Sequence, residues 1–318
     1  MSDTFPSSTQ PSAREPERRR VAHLIFNPVA GHGNAEKDLA LIKELLVPHL
    51  SIRVHQTTKE TNPAKLVQNA LIQKPDLIIA SGGDGTVSAV AGALINKQIP
   101  LGIIPRGTAN AFSAALGISG IMPIRRACQI ILDNHTKSVD AAYCNGTPMV
   151  LLMGIGFEVS MIEGADREKK DKWGTLAYLM AGWQALSERN HFEVEVTANG
   201  KTYPAFEAGS VMVANAAPPT SVLAHGEGEV VIDDGLLDIT IATAESKVNA
   251  IATLLSLLGA AVAKTETDRP NVLHGRTRRL TIDANPPQKV VIDGEIAGTT
   301  PVEVSCISNG LLVFSPTE

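Results

Sequence analysis

Three short glycine-bearing segments, each preceded by an apolar run and followed by a helix-like stretch, constrain this chain more than any other feature. Asn27-Pro28-Val29-Ala30-Gly31-His32-Gly33 follows VAHLIF at Val21–Phe26. Ser81-Gly82-Gly83-Asp84-Gly85-Thr86 follows DLIIA at residues 76–80, and Pro105-Arg106-Gly107-Thr108-Ala109-Asn110 follows residues 100–104. Residues 35–46 carry Leu39, Ile42, Leu45 and Leu46 at helical spacing. Residues 63–72, 86–95 and 108–116 read as further helices, and Ser51–Gln56 alternates as a strand. Strands alternating with helices predict a doubly wound α/β domain, its parallel sheet covered on both faces. Ligands of such sheets collect at the carboxyl ends of the strands, where these segments lie. Glycines let backbone N–H groups approach a phosphate, and a following helix N-terminus adds positive potential.

The pattern changes near residue 140. Strand-like runs dominate from there, at residues 149–153, 192–197, 210–214, 236–242, 279–283 and 289–292. Helical signals remain at 175–186 and 248–263. This half reads as an antiparallel β-sandwich-like domain. The expected division is a disordered tail at 1–20, a nucleotide-binding domain at 21–140 and a β-rich acceptor domain at 141–305. Residues 306–318, with LLVF at 311–314, end either domain.

Residues 1–17 are polar and rich in Pro and Ser, with no apolar stretch to serve as a signal peptide. Arg18, Arg19 and Arg20 are a solvated charge run or a contact for anionic lipid. The run at 248–263 is interrupted by Asn249, Thr253 and Ser256 and is short for a bilayer core, which favours a buried or partly exposed helix. A net charge of -5 argues against a nucleic-acid partner. Cys128, Cys144 and Cys306 lack metal-site spacing and suit a reducing cytoplasm as small buried side chains.

The second glycine segment is no Walker A loop, since no Gly-Lys-Ser/Thr follows, and the protein-kinase signatures are missing. Together with Asn27-Pro28, Gly107-Thr108-Ala109-Asn110 and the late Asp293-Gly294-Glu295, it resembles the diacylglycerol kinase catalytic-domain family, which includes bacterial soluble lipid kinases, sphingosine kinases and ceramide kinases. The resemblance covers roughly residues 21–318. It implies an ATP-dependent lipid kinase. The nucleotide site would draw on Asn27, Pro28, Val29, Ala30, Gly31, Thr58 (or its neighbour Thr57), Gly82, Gly83, Asp84, Gly85, Thr86, Val87, Ser88 and Thr108. Asp293 and Glu295 match the acidic pair that activates the acceptor hydroxyl, and Asp234 matches a structural magnesium or calcium site completed by carbonyls near Val231 and Leu236.

Chemistry agrees with those roles. Phosphoryl transfer needs positioning and charge neutralisation, and magnesium on ATP prefers carboxylate and water oxygens, which Asp84 can supply. Asn110 belongs to the third segment, where Arg106 either neutralises phosphate or is solvated. Asp293-Gly294 and Asp234-Gly235 also suit plain turns. If the first is extended, Asp293 and Glu295 face one side; if it is a tight turn, they diverge. There are two departures: Ala111 stands where many bacterial members have Asp, which bears on lipid choice and on the acidic network near the acceptor, and His32 stands where Lys is frequent. The expected protein is cytoplasmic and touches membranes peripherally and reversibly to reach a lipid acceptor. An NAD-kinase-like enzyme and a non-catalytic nucleotide- or lipid-binding regulator are the alternatives.

Overall fold

The computed structural model describes residues 18–31, 33–156, 191–218, 230–243 and 272–317. The tail 1–17, His32 and the helical readings at 175–186 and 248–263 lie outside them.

The first half alternates β1 (Val21–Phe26), α1 (Ala35–Leu46), β2 (Ser51–Gln56), α2 (Pro63–Leu71), β3 (Leu77–Gly82), α3 (Asp84–Leu94), β4 (Leu101–Pro105), α4 (Ala111–Ala115) and α5 (Pro123–Asp133). Local chemistry explains the helix starts. Asn34 caps α1 by accepting the Lys37 N–H, and Glu36 and Asp38 sit in its first turn. Asn62 caps α2 by accepting the Ala64 N–H, with Pro63 at the first helical position. The parallel strands run in the order β2-β1-β3-β4. Right-handed crossovers in that order put α1 and α5 against one face and α2 and α3 against the other. Every residue of β3 is buried, as a strand covered on both faces requires. Truncating one of its isoleucines, Ile79→Ala, would cost about 2–5 kcal/mol.

The remaining strands are β5 (Thr136–Cys144), β6 (Thr147–Met149), β7 (Leu152–Ile155), β8 (Phe192–Ala198), β9 (Lys201–Ala214), β10 (Leu237–Thr243), β11 (Val272–Thr277), β12 (Arg279–Asn285), β13 (Lys289–Ile292), β14 (Glu295–Thr299) and β15 (Val302–Phe314). Their mutual pairings are antiparallel. β9 passes from β8 to β7 and β10, and a second core containing Tyr203, Phe206 and Phe192 fills this β-sandwich-like domain. β15 joins the halves. Residues 302–305 pair with β12, and Val313 pairs in parallel with Leu101 of β4. β5 runs antiparallel along most of β15.

Three expected elements differ. The strand expected at 210–214 begins already at Lys201. The helix expected from residue 108 begins at Ala111, because Asn110 is left-handed (φ 49) and folds its amide onto Gly107. The strand expected over 149–153 splits into β6 and β7, because the N–H groups of Val150, Leu151 and Leu152 turn away to one carboxylate, Asp293.

Candidate active site

β1 pairs with β2 on one side and β3 on the other, so the first two glycine loops flank the point where the strand order reverses. The Asn27 N–H donates to Ser81 O at 2.9 Å, and its side-chain amide donates to Thr86 Oγ1 at 2.9 Å. Its Oδ1 accepts the Val29 N–H, closing the turn that exposes Val29. Gly31 has φ +79, and a methyl there would collide with the Arg106 carbonyl oxygen. Gly83 and Gly107 meet back to back, since a methyl on Gly107 would lie 2.6 Å from the Gly83 Cα. The three loops therefore form one packed surface at the sheet edge.

Arg106 holds that surface from within. It is 7 % exposed. Its Nε donates to Asp38 at 2.8 Å and its Nη1 to the Asn27 carbonyl at 2.7 Å, and its guanidinium lies 4.4 Å over the Phe26 ring. This side chain joins α1, β1 and the third loop and is buried, not solvated, while its Nη2 has no partner among the described residues. Thr58 is exposed and turns its hydroxyl toward Thr61, whereas Thr57 is buried and its N–H donates to Phe26 O. Pro28 and Ala30 are half-buried, Val87 packs in the core, and Thr108 is exposed on the third loop.

Helix α3 starts differently from α1 and α2. Its cap is Gly83, which makes no side-chain hydrogen bond to the first N–H groups. Orphan donors at the start of an eleven-residue helix suit a phosphate. Asp84 points instead at the next loop, and its Oδ1 accepts the Ala111 N–H at 2.6 Å. Burial raises the Asp84 pKa, against the N–H groups of Ala111, Asn110 and Phe112.

Below Gly85 the cleft opens to about 510 Å³ between α2 and α3 on one wall and β6, β13 and β14 on the other. Gly85, Ser88, Asp293, Glu295 and Ile296 line it. Asp293 (φ 47) and Gly294 (φ 93) form the two-residue turn of the β13–β14 hairpin. The expected alternatives of turn and acidic pair thus coincide: the turn is tight, yet both carboxylates reach one cleft. Asp293 Oδ1 accepts from Leu151 and Leu152 and Oδ2 from Val150, each at 3.0 Å. Burial pushes its carboxyl up to about 6, while those N–H groups and the nearby Ser88 hydroxyl favour the charged form. Ser88 reaches across from α3 without forming an aligned hydrogen bond. Glu295 is exposed at the start of β14.

Asp234 lies far from this cleft in sequence and in partners. One oxygen accepts the Leu236 N–H at 2.9 Å, and the other faces Arg276 at 3.5 Å. Arg276 also binds Asp238 at 2.8 Å. A guanidinium thus neutralises the acidic turn, and Val231 is partly exposed beside it. Among the described residues no three His, Cys, Asp or Glu side chains gather into a metal site. Asp234, which the resemblance implied as a ligand of a structural cation with carbonyls near Val231 and Leu236, is here paired with Arg276. The three cysteines are buried, which pushes their thiols to about 12, 11 and 12 in chain order.

Sequence reasoning missed Asp38, which reads as an ordinary first-turn acid, and the cleft residues Asn62, Gln68, Thr147 and Pro148. It also missed Asp140, a buried carboxylate that accepts the N–H groups of Gly235 and Asn309 and pins the 232–235 turn to β15. No spacing marks these residues, because their partners are remote in the chain.

Comparison with known proteins places this geometry. Residues 21–144 match the diacylglycerol kinase catalytic domain, and residues 152–315 match the YegS C-terminal NAD kinase beta sandwich-like domain. An uncharacterized protein of Synechocystis is 47 % identical over 312 residues, covering 95 % of this chain and 71 % of that protein. A diacylglycerol kinase of Bacillus subtilis is 26 % identical over 93 % of this chain and 97 % of its own. The crystal structure of a candidate diacylglycerol kinase from Bacillus anthracis superposes with a TM-score of 0.77 at 27 % identity, covering 95 % of this chain and 98 % of that one. An NAD kinase from Archaeoglobus fulgidus shares only the fold, with a TM-score of 0.52 at 13 % identity, covering 93 % of each chain. Matched in both halves, the chain belongs to the diacylglycerol kinase family, an α/β catalytic domain followed by a β-sandwich-like one.

Proposed function

We propose that this kinase-family protein transfers the γ-phosphoryl group of ATP to the hydroxyl of a lipid of the diacylglycerol type. The observation that carries the reading is the cleft in which Asp293, from the second domain, faces Gly85 and Ser88 at the uncapped start of α3. The loops and the α3 N-terminus hold the phosphates. An acceptor hydroxyl entering the cleft loses its proton to Asp293, its oxygen bonds to the γ-phosphorus, and ADP leaves. A carboxyl raised to about 6 is ionised at neutral pH yet basic enough to take that proton. Glu295 stands at the rim, placed to orient the acceptor. Asp84 is the carboxylate that would hold a magnesium ion beside the nucleotide, and the ion would supply charge neutralisation there. Among the described residues no helix is long and apolar enough to cross a membrane. Work on a lipid then implies reversible contact with the membrane surface from the cytoplasm.

The test is phosphorylation by the purified chain with γ-labelled ATP. The acceptors are diacylglycerol, monoacylglycerol, phosphatidylglycerol, ceramide and a sphingoid base in mixed micelles, with NAD as a separate acceptor. Label in one or more lipids is expected. Label in NAD alone would overturn the reading in favour of a dinucleotide kinase. ATP binding with no labelled product would make the protein a non-catalytic regulator.

A further inference from the structure

The turn between α4 and α5 carries two adjacent, large, exposed apolar side chains, Ile121 at 99 % and Met122 at 64 %. The other exposed large apolar residues among those described, such as Val29, Ile72 and Ile296, stand singly in the sequence. The turn is held at both ends. Ile118 is buried and its N–H donates to Ser113 O at 2.8 Å, and the Gly117 N–H donates to Ala114 O at 3.0 Å. On the other side Pro123 opens α5, and the Arg126 N–H donates to Met122 O. The two side chains are therefore presented on a short, anchored tip, and nothing in the local packing uses them.

The charge beside the tip is one-sided. Residues 117–132 contain Arg125 and Arg126 and no Asp or Glu, in a chain whose net charge is -5. Both arginines are exposed. They occupy the first turn of α5, where the helix dipole disfavours cations. Arg126 makes only a long contact, 3.4 Å, to the Gly117 carbonyl. Cations at such a place are better explained by an anion outside the chain than by the stability of the helix. The tip also follows the third glycine loop through the short helix α4, so it leaves the sheet at the edge where the phosphate loops lie.

We propose that this tip is where the protein rests on an anionic lipid surface. Ile121 and Met122 enter between the headgroups, and Arg125 and Arg126 face the lipid phosphates. Apolar burial and interfacial cations act together in such contacts. The purpose of the contact rests on the lipid-kinase reading, but the binding is measured without turnover.

The experiment is co-sedimentation of the full chain, without ATP, with vesicles of phosphatidylcholine alone and of phosphatidylcholine with phosphatidylglycerol. The anionic vesicles should retain the protein and the neutral ones should not. The Ile121→Ser/Met122→Ser pair should weaken partitioning about tenfold or more, and Arg125→Gln/Arg126→Gln by a similar factor. Met122→Trp, read as the difference from the native chain with its own Trp173 and Trp183, should add a blue-shifted emission on anionic vesicles only, which reads the tip even if the paired variants fold poorly. Failure of the native chain to sediment, native-like sedimentation of both paired variants, or unshifted emission from vesicle-bound Met122→Trp protein would each overturn the proposal. So would self-association through the tip without vesicle binding. Lipid phosphorylation in micelles by a chain whose tip ignores vesicles defeats this proposal alone. Tip-dependent binding with no labelled lipid defeats the kinase reading alone.

Discussion

The Asp84 carboxylate at the start of α3 accepts the backbone N–H of Ala111, the first residue of α4, at 2.6 Å. One acidic side chain thus ties the second glycine loop to the third, and its charge lies beside the uncapped start of α3. Ala111 takes part through its N–H, which any residue but proline would supply.

Asp84→Asn keeps an acceptor for that N–H while removing the charge. Stability should fall by about 1 kcal/mol. Turnover should fall more sharply, about tenfold or beyond, if the charge orders the metal–phosphate group. Thermal melts and steady-state kinetics on one preparation separate the two effects. Unchanged turnover in a chain that melts slightly lower would leave Asp84 as a cap and nothing more.

Asp293 and Glu295 make a paired prediction. Asp293→Asn should lower kcat by about two to four powers of ten and leave the nucleotide Kd nearly unchanged. It also costs about 1–3 kcal/mol, because one of three buried N–H groups loses its acceptor. Glu295, exposed and free of that duty, should lose activity on Glu295→Gln without loss of stability. The sign of the pH effect follows from the raised pKa. Above about 6 the folded protein holds Asp293 ionised and competent; below it the carboxyl is protonated and kcat/KM should fall. That limb should persist in Glu295→Gln and be absent from the residual activity of Asp293→Asn. A flat profile between pH 5 and 7, about the range the raised carboxyl spans, would remove Asp293 as the base.

The Arg106–Asp38 pair sets the spacing between the first and third loops. Arg106→Lys cannot reach both Asp38 and the Asn27 carbonyl. The loss should be about 1–3 kcal/mol, below the range for fully buried pairs because Asp38 reaches solvent. The KM for ATP should rise while kcat stays within about twofold, as expected when positioning of the donor is the only loss. A fall in kcat at unchanged KM would mean that Arg106 meets the transferring group.

The acidic turn at 233–235 should ignore chelators. Arg276 neutralises Asp234 and Asp238, so EDTA should leave Tm where it was. Arg276→Met should lower stability by about 1–3 kcal/mol by stranding the buried Asp238 carboxylate. A melting point that drops in EDTA and recovers with magnesium or calcium would restore the cation site at this turn.

Some of this was legible in the sequence. α1 and β2 fall where periodicity places them, because an amphipathic helix and an alternating strand each carry their own signal. The glycine loops were legible because close backbone approach and positive φ leave few residue choices, as at Gly31. α5, β5, β11 and most of β15 were not read as elements, although residues 311–314 stood out as apolar. Asn134 and Asn309 punctuate those segments with left-handed residues that carry no glycine signal. The roles of Arg106 and Asp293 were only half legible. A sequence shows that a cation or an acid is present, but not that it is buried among backbone groups from segments far along the chain.

The last strand has a consequence for how the protein is made. β15 supplies the missing neighbour of β4 in the first domain and of β12 in the second. On a ribosome it is synthesised after every other element of both. Until it emerges, the parallel sheet has an open edge at β4, and β5 lacks the strand along which it runs. The domain that matches residues 21–144 thus takes the neighbour of β4 from residues 302–314. Until β15 is made, each half carries an unpaired strand edge.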